Sequence, residues 1–447
     1  MIMTQTEYFI AGINQVCNMP VNQNELHQIK RCMLDWVGVS FAGASLLRKK
    51  MQPLLRIASS GPCSTFLSEG KLDVHSAAFL NGYVAHVLEL DDGHRFGMLH
   101  LEAPVFSALF AVAQQEKIDF DHFVKGILVG YQTMVQLAKR IQPEHKKKGY
   151  HATGTCGTIG VACAVAAALD FTDSQLESAI GAAVTRAAGL LSALDAPSEI
   201  KPYNVASAVE AGICSAYLAK CGVKVQRDPI DGKRGFFKMY APGVEVASLG
   251  SFAEQPEILN IYFKPYASCR HCHAPAECAL NLKEKYHLMA DDIASVTVET
   301  YRLAIDGHNH TDIPSASSAK MSIPYAVASA LSTGRAGMDA FTEQMLNNPV
   351  AISLAKKVCV REDEEMTALS PGKRGARVIV KTTNGAVLSA EVDNPLGEPE
   401  HPMSDDALEK KYFEMMNFAG IEYPRAVSIR DMIWNIENNY NEFIKVL

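Results

Sequence analysis

The chain has 447 residues, 48% hydrophobic and 20% charged, with a formal net charge of -7. That composition is globular and excludes a disordered chain, and the length exceeds one ordinary core, so two domains are expected. The acidic balance argues against a general nucleic-acid binder, which needs a basic stripe, yet leaves room for a locally cationic pocket that takes anions.

Met1 to Gln15 lacks the basic region and apolar core of an export signal, and no run of about 18 uninterrupted apolar residues occurs. The sequence therefore predicts a cytoplasmic protein without a membrane span, its 11 cysteines reduced and mostly buried. Residues 1–262 read as nearly continuous helix. Asn22 with Glu25 forms a capping box that opens a helix through Phe41. Phe79, Leu80, Tyr83, Val84, Val87 and Leu88 make one apolar stripe on a helix ending near Asp91-Asp92. Ala103–Gln115 and Phe123–Ile141 follow, then a Gly/Thr-rich turn, Gly149–Gly160, that feeds an apolar helix over 161–169. A second capping box, Thr172 with Gln175, opens a helix through Leu191, and Asn204–Lys220 comes next. After Tyr262 the pattern changes. Ser295–Tyr301 alternates and is β-branched, and Ala376–Lys381 and Val387–Val392 flank an Asn-Gly hairpin turn. Helices are expected near Ser322–Ser332 and Met338–Leu346. Asn394–Pro402 reads as a crossing linker, and Asp405–Met416 and Ser428–Val446 as helices returning to the first domain. The fold class is mostly α: a large all-helical domain (1–262), a smaller α+β lid domain (263–399) and C-terminal helices (400–447).

Four strips carry chemistry. In the first, Glu89, Asp91, Asp92, His94 and His100 follow an apolar helix. Carboxylates there oppose the helix macrodipole, and acids beside imidazoles are what proton transfer needs. The plain alternative is a solvated helix end. In the second, His151 stands just outside a Gly/Thr-rich helix start whose amides could hold a carboxylate; the plain alternative is close packing through glycine. The third is Lys201, ahead of an apolar helix, a carboxylate partner or a surface lysine. The fourth runs from Lys264 to His273. Its Cys269-x-x-Cys272-His273 matches the c-type haem attachment pattern, but no export signal accompanies it, and zinc would want a second Cys or His pair at finger spacing. A cationic strip rich in thiol and imidazole that faces an anion fits better. Tyr301, His308, His310 and Lys320–Tyr325 add polar groups that spacing does not rank.

Taken in order, these strips resemble the MmgE/PrpD family, which includes 2-methylcitrate dehydratases, cis-aconitate decarboxylases and iminodisuccinate epimerases. Leu88–His100 with Ala103-Pro104, Gly149–Gly160, Lys201 with its helix, Lys264–His273, Ser322–Leu331 with Gly334-Arg335, and Asn394–Ser404 carry the likeness over nearly the whole chain. It implies a homodimer, no cofactor and no metal, and a cleft between helical domain and lid that takes a small di- or tricarboxylate. It maps the catalytic groups to His151, His100, Asp92, Asp91 and Lys201, and the substrate-binding groups to Lys264, Arg270, Glu89, His94, Cys269 and Tyr325. Three positions depart from the family's dehydratases and decarboxylases. Glu89 stands where they have Asp, Gly93 where they have Thr, and Cys269 where the decarboxylase has His. On this reading Lys264, Lys201 and Arg270 hold carboxylates, one of His151 and His100 takes a proton, the other gives one, and Asp92 orients a histidine. A metal-independent hydro-lyase acting on 2-methylcitrate or citrate is the first expectation. A decarboxylase or epimerase is the alternative, and a carboxylate-binding scaffold without catalysis is the alternative of another class.

Overall fold

The computed structural model describes residues 3–446 except 195–197, 248, 250, 251, 253 and 254. The chain begins with α1 (Gln5–Asn18) and α2 (Gln23–Leu47), both opened by capping boxes, Thr4 with Glu7 and Asn22 with Glu25. Then come α3 (Val74–His86), α4 (Glu102–Glu116), α5 (Phe120–Ile141), α6 (Ala152–Ala168), α7 (Asp173–Arg186) and α8 (Lys201–Lys220). Every residue of α6 is buried, and helices α5 and α8 pack along it. A helix apolar all round belongs inside a core, and its small residues let neighbours approach closely. Gly160 is such a contact: a Cβ there would lie 2.1 Å from Met134 Cγ. Gly43 of α2 is equally close, and to backbone, with a Cβ position 2.1 Å from the Val84 carbonyl oxygen of α3.

Two β features interrupt this helical body. Ser60–Thr65 and Ser68–Leu72 form an irregular antiparallel hairpin, and Gly93–His94 pairs with Ile261–Tyr262.

The first helix of the smaller unit is α9 (His273–Tyr286). Strand β1 (Ile293–Thr300) follows, then α10 (Ile323–Thr333), β2 (Val358–Glu362), β3 (Ala376–Thr382) and β4 (Val387–Val392). The sheet order is β2-β1-β3-β4, with only the β1–β2 pair parallel. Alternation decides which face is covered: Ala376, Val378 and Val380 are buried, and α9 packs on β3 and β4. Val378 and Val380 share a core with Cys272, Leu282, Val327 and Leu331. The chain then returns as α11 (Asp405–Phe418), α12 (Tyr423–Trp434) and α13 (Ile436–Val446), whose Leu408, Tyr412, Ile433 and Phe443 join the core of Phe9, Trp36 and Phe106.

The two crossings between the units touch each other: Phe263 N donates to Gly397 O at 3.2 Å. Gly397 has φ +98°, and a Cβ there would lie 2.0 Å from Phe263 O, so both the backbone and the approach require glycine. A third apolar cluster seals the contact between the units. Val39, Leu88 and Leu90 of the body meet Ala319, Tyr325 and Phe341 of the smaller unit.

Candidate active site

Helix α3 stops at His86, five residues before Asp91, so the acidic strip lies on a loop rather than a helix end. Three buried lysines hold that loop by consecutive carbonyls. Lys320 Nζ donates to Leu88 O (3.0 Å), Lys264 Nζ to Glu89 O (3.1 Å) and Lys411 Nζ to Leu90 O (2.8 Å). Positive charge at a helix C-terminus complements the macrodipole, which accounts for Glu89 and Asp91 being tolerated there. Glu89 itself takes a left-handed backbone, φ 56°.

The carboxylates have distinct jobs. Asp91 Oδ2 accepts from His86 Nδ1 at 2.7 Å and lies 3.6 Å from His100 Nδ1, with Lys264 Nζ 3.8 Å from Oδ1. Asp92 turns the other way. Its Oδ1 accepts from the amides of Leu101 (2.8 Å) and Glu102 (3.0 Å), capping α4, and its Oδ2 accepts from Tyr131 Oη at 3.0 Å. Burial pushes the Asp92 carboxyl up to about 7, and Asp91 adds to the rise. Glu89 Oε1 pairs with Lys201 Nζ at 2.5 Å, and Glu89 Oε2 lies 3.8 Å from Lys264 Nζ. Burial opposes ionisation of Glu89, yet Lys201, His86 and Lys264 hold its carboxyl well below the ordinary range.

Three imidazoles meet beside this loop. The rings of His86 and His100 are 4.7 Å apart between centroids, and those of His100 and His151 6.5 Å apart. Burial, with Lys201 nearby, drives His100 and His151 well below the ordinary imidazole range, so both are neutral. Their partners then fix their tautomers. His100 Nδ1 lies 2.6 Å from Asp92 O, which only accepts, so Nδ1 carries the proton and Nε2 a lone pair. Asn204 Nδ2 donates to Leu190 O at 3.0 Å and to His151 Nδ1 at 3.2 Å, so His151 carries its proton on Nε2. One ring thus offers a lone pair at Nε2 and the other an N–H. One ring nitrogen from each of His86, His100 and His151 lies within 4.8 Å of the others, spacing that a metal ion could bridge.

The cavity these groups face, about 70 Å³, is lined from the body by Glu89, His100, Lys146, His151 and Lys201, and from the smaller unit by Cys269, Arg270, His271, His308 and Arg374. A larger groove of about 650 Å³ adjoins it, sharing Glu89, Lys201 and Met321, and reaches Lys320. The Glu89–Lys201 pair thus stands between vestibule and chamber. Burial lowers both Lys320 and Lys146 to about 8.

Of the residues singled out in the sequence, Glu89, His100, His151, Lys201, Cys269 and Arg270 line the chamber, with Asp91 and Lys264 buried against Glu89. Arg270 is spent on structure: it holds Glu398 at 3.0 Å and the carbonyls of Pro395 and Leu396 at 3.1 Å, clamping the return crossing. Asp92 orients His100 through its carbonyl, while its carboxylate serves α4. His94 turns its ring away from the histidine cluster, to Glu257 at 3.3 Å. Tyr325 gives its hydroxyl to Ala340 O at 2.9 Å inside the apolar seal between the units. The sequence reading passed over His86, included His271 in the Lys264–His273 strip without selecting it, and left His308 and Lys320 unranked. The available signal for His86 was a lone imidazole in an apolar run just ahead of carboxylates.

Two family models match the chain: the MmgE/PrpD N-terminal domain over residues 13–248 and the MmgE/PrpD C-terminal domain over 266–434. Curated relatives include a cis-aconitate decarboxylase of Aspergillus terreus, 26% identical over 441 residues, covering 92% of this chain and 89% of the relative. The cis-aconitate decarboxylase of Homo sapiens is 23% identical, with 92% and 88% covered. The chain belongs to the MmgE/PrpD family.

Proposed function

We propose that the protein is a lyase acting on a small di- or tricarboxylic acid, moving a proton at a carbon next to a carboxylate, with loss of water as its first reaction. The observation that carries this reading is the pair of neutral histidines in opposite tautomers, His100 with a free Nε2 and His151 with an Nε2–H, at one cavity lined by lysines.

Lys201 and Lys146 take substrate carboxylates, and Lys320 adds positive charge on the vestibule side. His100 Nε2 removes the proton from carbon. The electron pair left behind spreads into the adjoining carboxylate, where the lysines stabilise the added negative charge. His151 Nε2–H then protonates the leaving hydroxyl, and water departs with formation of a carbon–carbon double bond. Asp91 holds His86, and through it the cluster, in place.

Decarboxylation is the second reading, favoured by the names of the curated relatives. There carbon dioxide leaves and His151 protonates the carbon. The test is incubation of the protein with citrate, 2-methylcitrate, cis-aconitate and iminodisuccinate in deuterium oxide, followed by proton NMR and carbon dioxide trapping. Unsaturated acid with deuterium at the neighbouring carbon is the expected result. Carbon dioxide from cis-aconitate would replace dehydration by decarboxylation. Binding without exchange or product from any of the four would leave a scaffold and end the lyase reading.

A further inference from the structure

The wall that the smaller unit contributes to the chamber carries a thiol and an imidazole that the reaction above leaves unused. Cys269 precedes a single 3-10 turn, Arg270–Cys272, that leads into α9, and its amide donates to Lys320 O at 2.8 Å. His308 is 2% exposed. Its Nδ1–H donates to Asp306 O at 2.8 Å, which leaves Nε2 as the ring's basic nitrogen. That Nε2 is buried and has no hydrogen-bond partner among the described residues. Both side chains line the same chamber as His100 and His151.

The charges around the thiol favour its ionised form. Burial alone would raise it, but His308, first, and then Lys201 bring the Cys269 thiol down to about 6, with Glu89 opposing. Lys146 approaches from the helical body, its ammonium 2.8 Å from His271 Nε2. The His271 ring lies 5.0 Å from that of His308, and burial together with Lys146 holds it neutral. Arg374, Tyr262 and Tyr301 complete the surroundings, and Cys272, one turn on, stays a thiol because burial and Cys269 raise it. Transfer of the thiol proton to His308 Nε2 breaks one S–H bond and makes one N–H bond, with no change in net charge. Separating the charges in a buried chamber carries a desolvation cost, which Lys201 beside the thiolate offsets.

We propose that Cys269 and His308 form a thiolate–imidazolium pair that is a second proton-transfer centre, facing the histidines of the helical body across the chamber. The thiolate takes a proton from the substrate carbon on the face turned away from His100. The C–H electron pair stays on carbon, shared with the carboxylate, and the new thiol returns the proton in the reverse step. No oxidant or reductant is needed. The substrate carbon is thereby open to exchange from either side. This role rests on the acid–base reading of the site, whereas the ion pair itself does not.

The test separates the two. The full-length protein is labelled with iodoacetamide between pH 5 and 9, and each cysteine is followed by peptide mass spectrometry. The exposed Cys221 and Cys359 serve as references. Cys269 is expected to label with a midpoint near pH 6, at least ten-fold faster than the references at pH 6.5, and to be protected by citrate. His308→Gln should move that midpoint up toward the ordinary thiol value of ~8.5. A Cys269 that does not label, that follows the reference profile, or that keeps its midpoint in His308→Gln would overturn the pair. Cys269→Ser, checked for folding by circular dichroism, should slow deuterium exchange of the substrate hydrogen on the face turned away from His100 at least ten-fold, while exchange on the His100 face continues. Wild-type exchange at both faces by that variant would overturn the proton-transfer role. Absence of exchange by the wild-type protein on all four acids would count against the lyase reading, and with it the catalytic role, while the labelling still decides the pair.

Discussion

Two imidazoles of the same residue type hold opposite tautomers here because the atoms that meet their Nδ1 differ. A carbonyl oxygen meets Nδ1 of His100 and an amide N–H meets Nδ1 of His151. His100→Ala and His151→Ala are each expected to lower kcat by ~10²- to 10⁴-fold, the usual worth of a positioned acid or base, with unchanged circular dichroism. Turnover near the wild-type level in either variant would remove that residue from the mechanism. The acidic strip with His100 stood out in the sequence because unlike chemical groups sit close together after an apolar helix, whereas His151 and Lys201, each with a plain packing or surface alternative, were mapped to the site through the family resemblance. The roles of Asp92 and Arg270 were not legible there. A carboxylate that caps α4 and a guanidinium that clamps a crossing look the same, residue by residue, as groups that touch substrate. His94 was misleading for the same reason, since its partner Glu257 is remote in sequence.

At the level of elements, periodicity and capping served well where one face is buried and poorly where the chain is short or irregular. Helices α2 and α7 start at the capping boxes read from sequence, and the β3–β4 hairpin sits where two alternating runs flank Asn384-Gly385. Helix α7 ends at Arg186, five residues short of the expected Leu191, and the chain soon turns through Gly189 at φ +141°. The hairpin of residues 60–72 escaped notice because its register shifts twice and Ser-Gly-Pro-Cys-Ser-Thr has no alternation. It is held instead by side chains of the helical body: Ser64 N donates to Gln114 Oε1 at 2.7 Å, and Asn81 Nδ2 to Ser64 O at 3.0 Å. The glycines of residues 149–160 turned out to be mainly helix-packing positions, since α6 begins at Ala152. Close packing makes a sharp test. Gly43→Ala would press a methyl group onto the Val84 carbonyl, so α2 and α3 must separate, at a cost of ~1–3 kcal/mol. Thermal or urea unfolding would register that loss, and a variant as stable as the wild type would contradict the helix contact.

At the scale of the molecule, the composition change after Tyr262 announced a second kind of structure. The chamber could not be read that way, because its walls come from residues 86–100, 146–151, 201, 269–271, 308 and 374, and only folding brings them together. Substrate binding should carry the signature of that enclosure. Burial brings Lys320 and Lys146 to about 8, so as pH rises through that value both ammonium groups lose their charge, and attraction for a carboxylate falls. The KM for an anionic substrate is therefore expected to rise above pH 8, and Lys320→Met should raise KM at pH 7 and flatten the alkaline rise. A KM indifferent to pH between 7 and 9 in the wild type would mean that these lysines do not sense the substrate.

The loop of residues 88–90 has one more implication, for the order in which the protein becomes competent. Its three carbonyl oxygens are satisfied by amines at positions 320, 264 and 411. A growing chain emerges from its N-terminus, so this loop stays without its last tether until α11 has been synthesised. Lys411 also neutralises the buried Asp35, 2.6 Å away, and a chain ending before α11 would leave that carboxylate stranded in the interior. Translation products that stop before α11 thus lack the third tether of this loop.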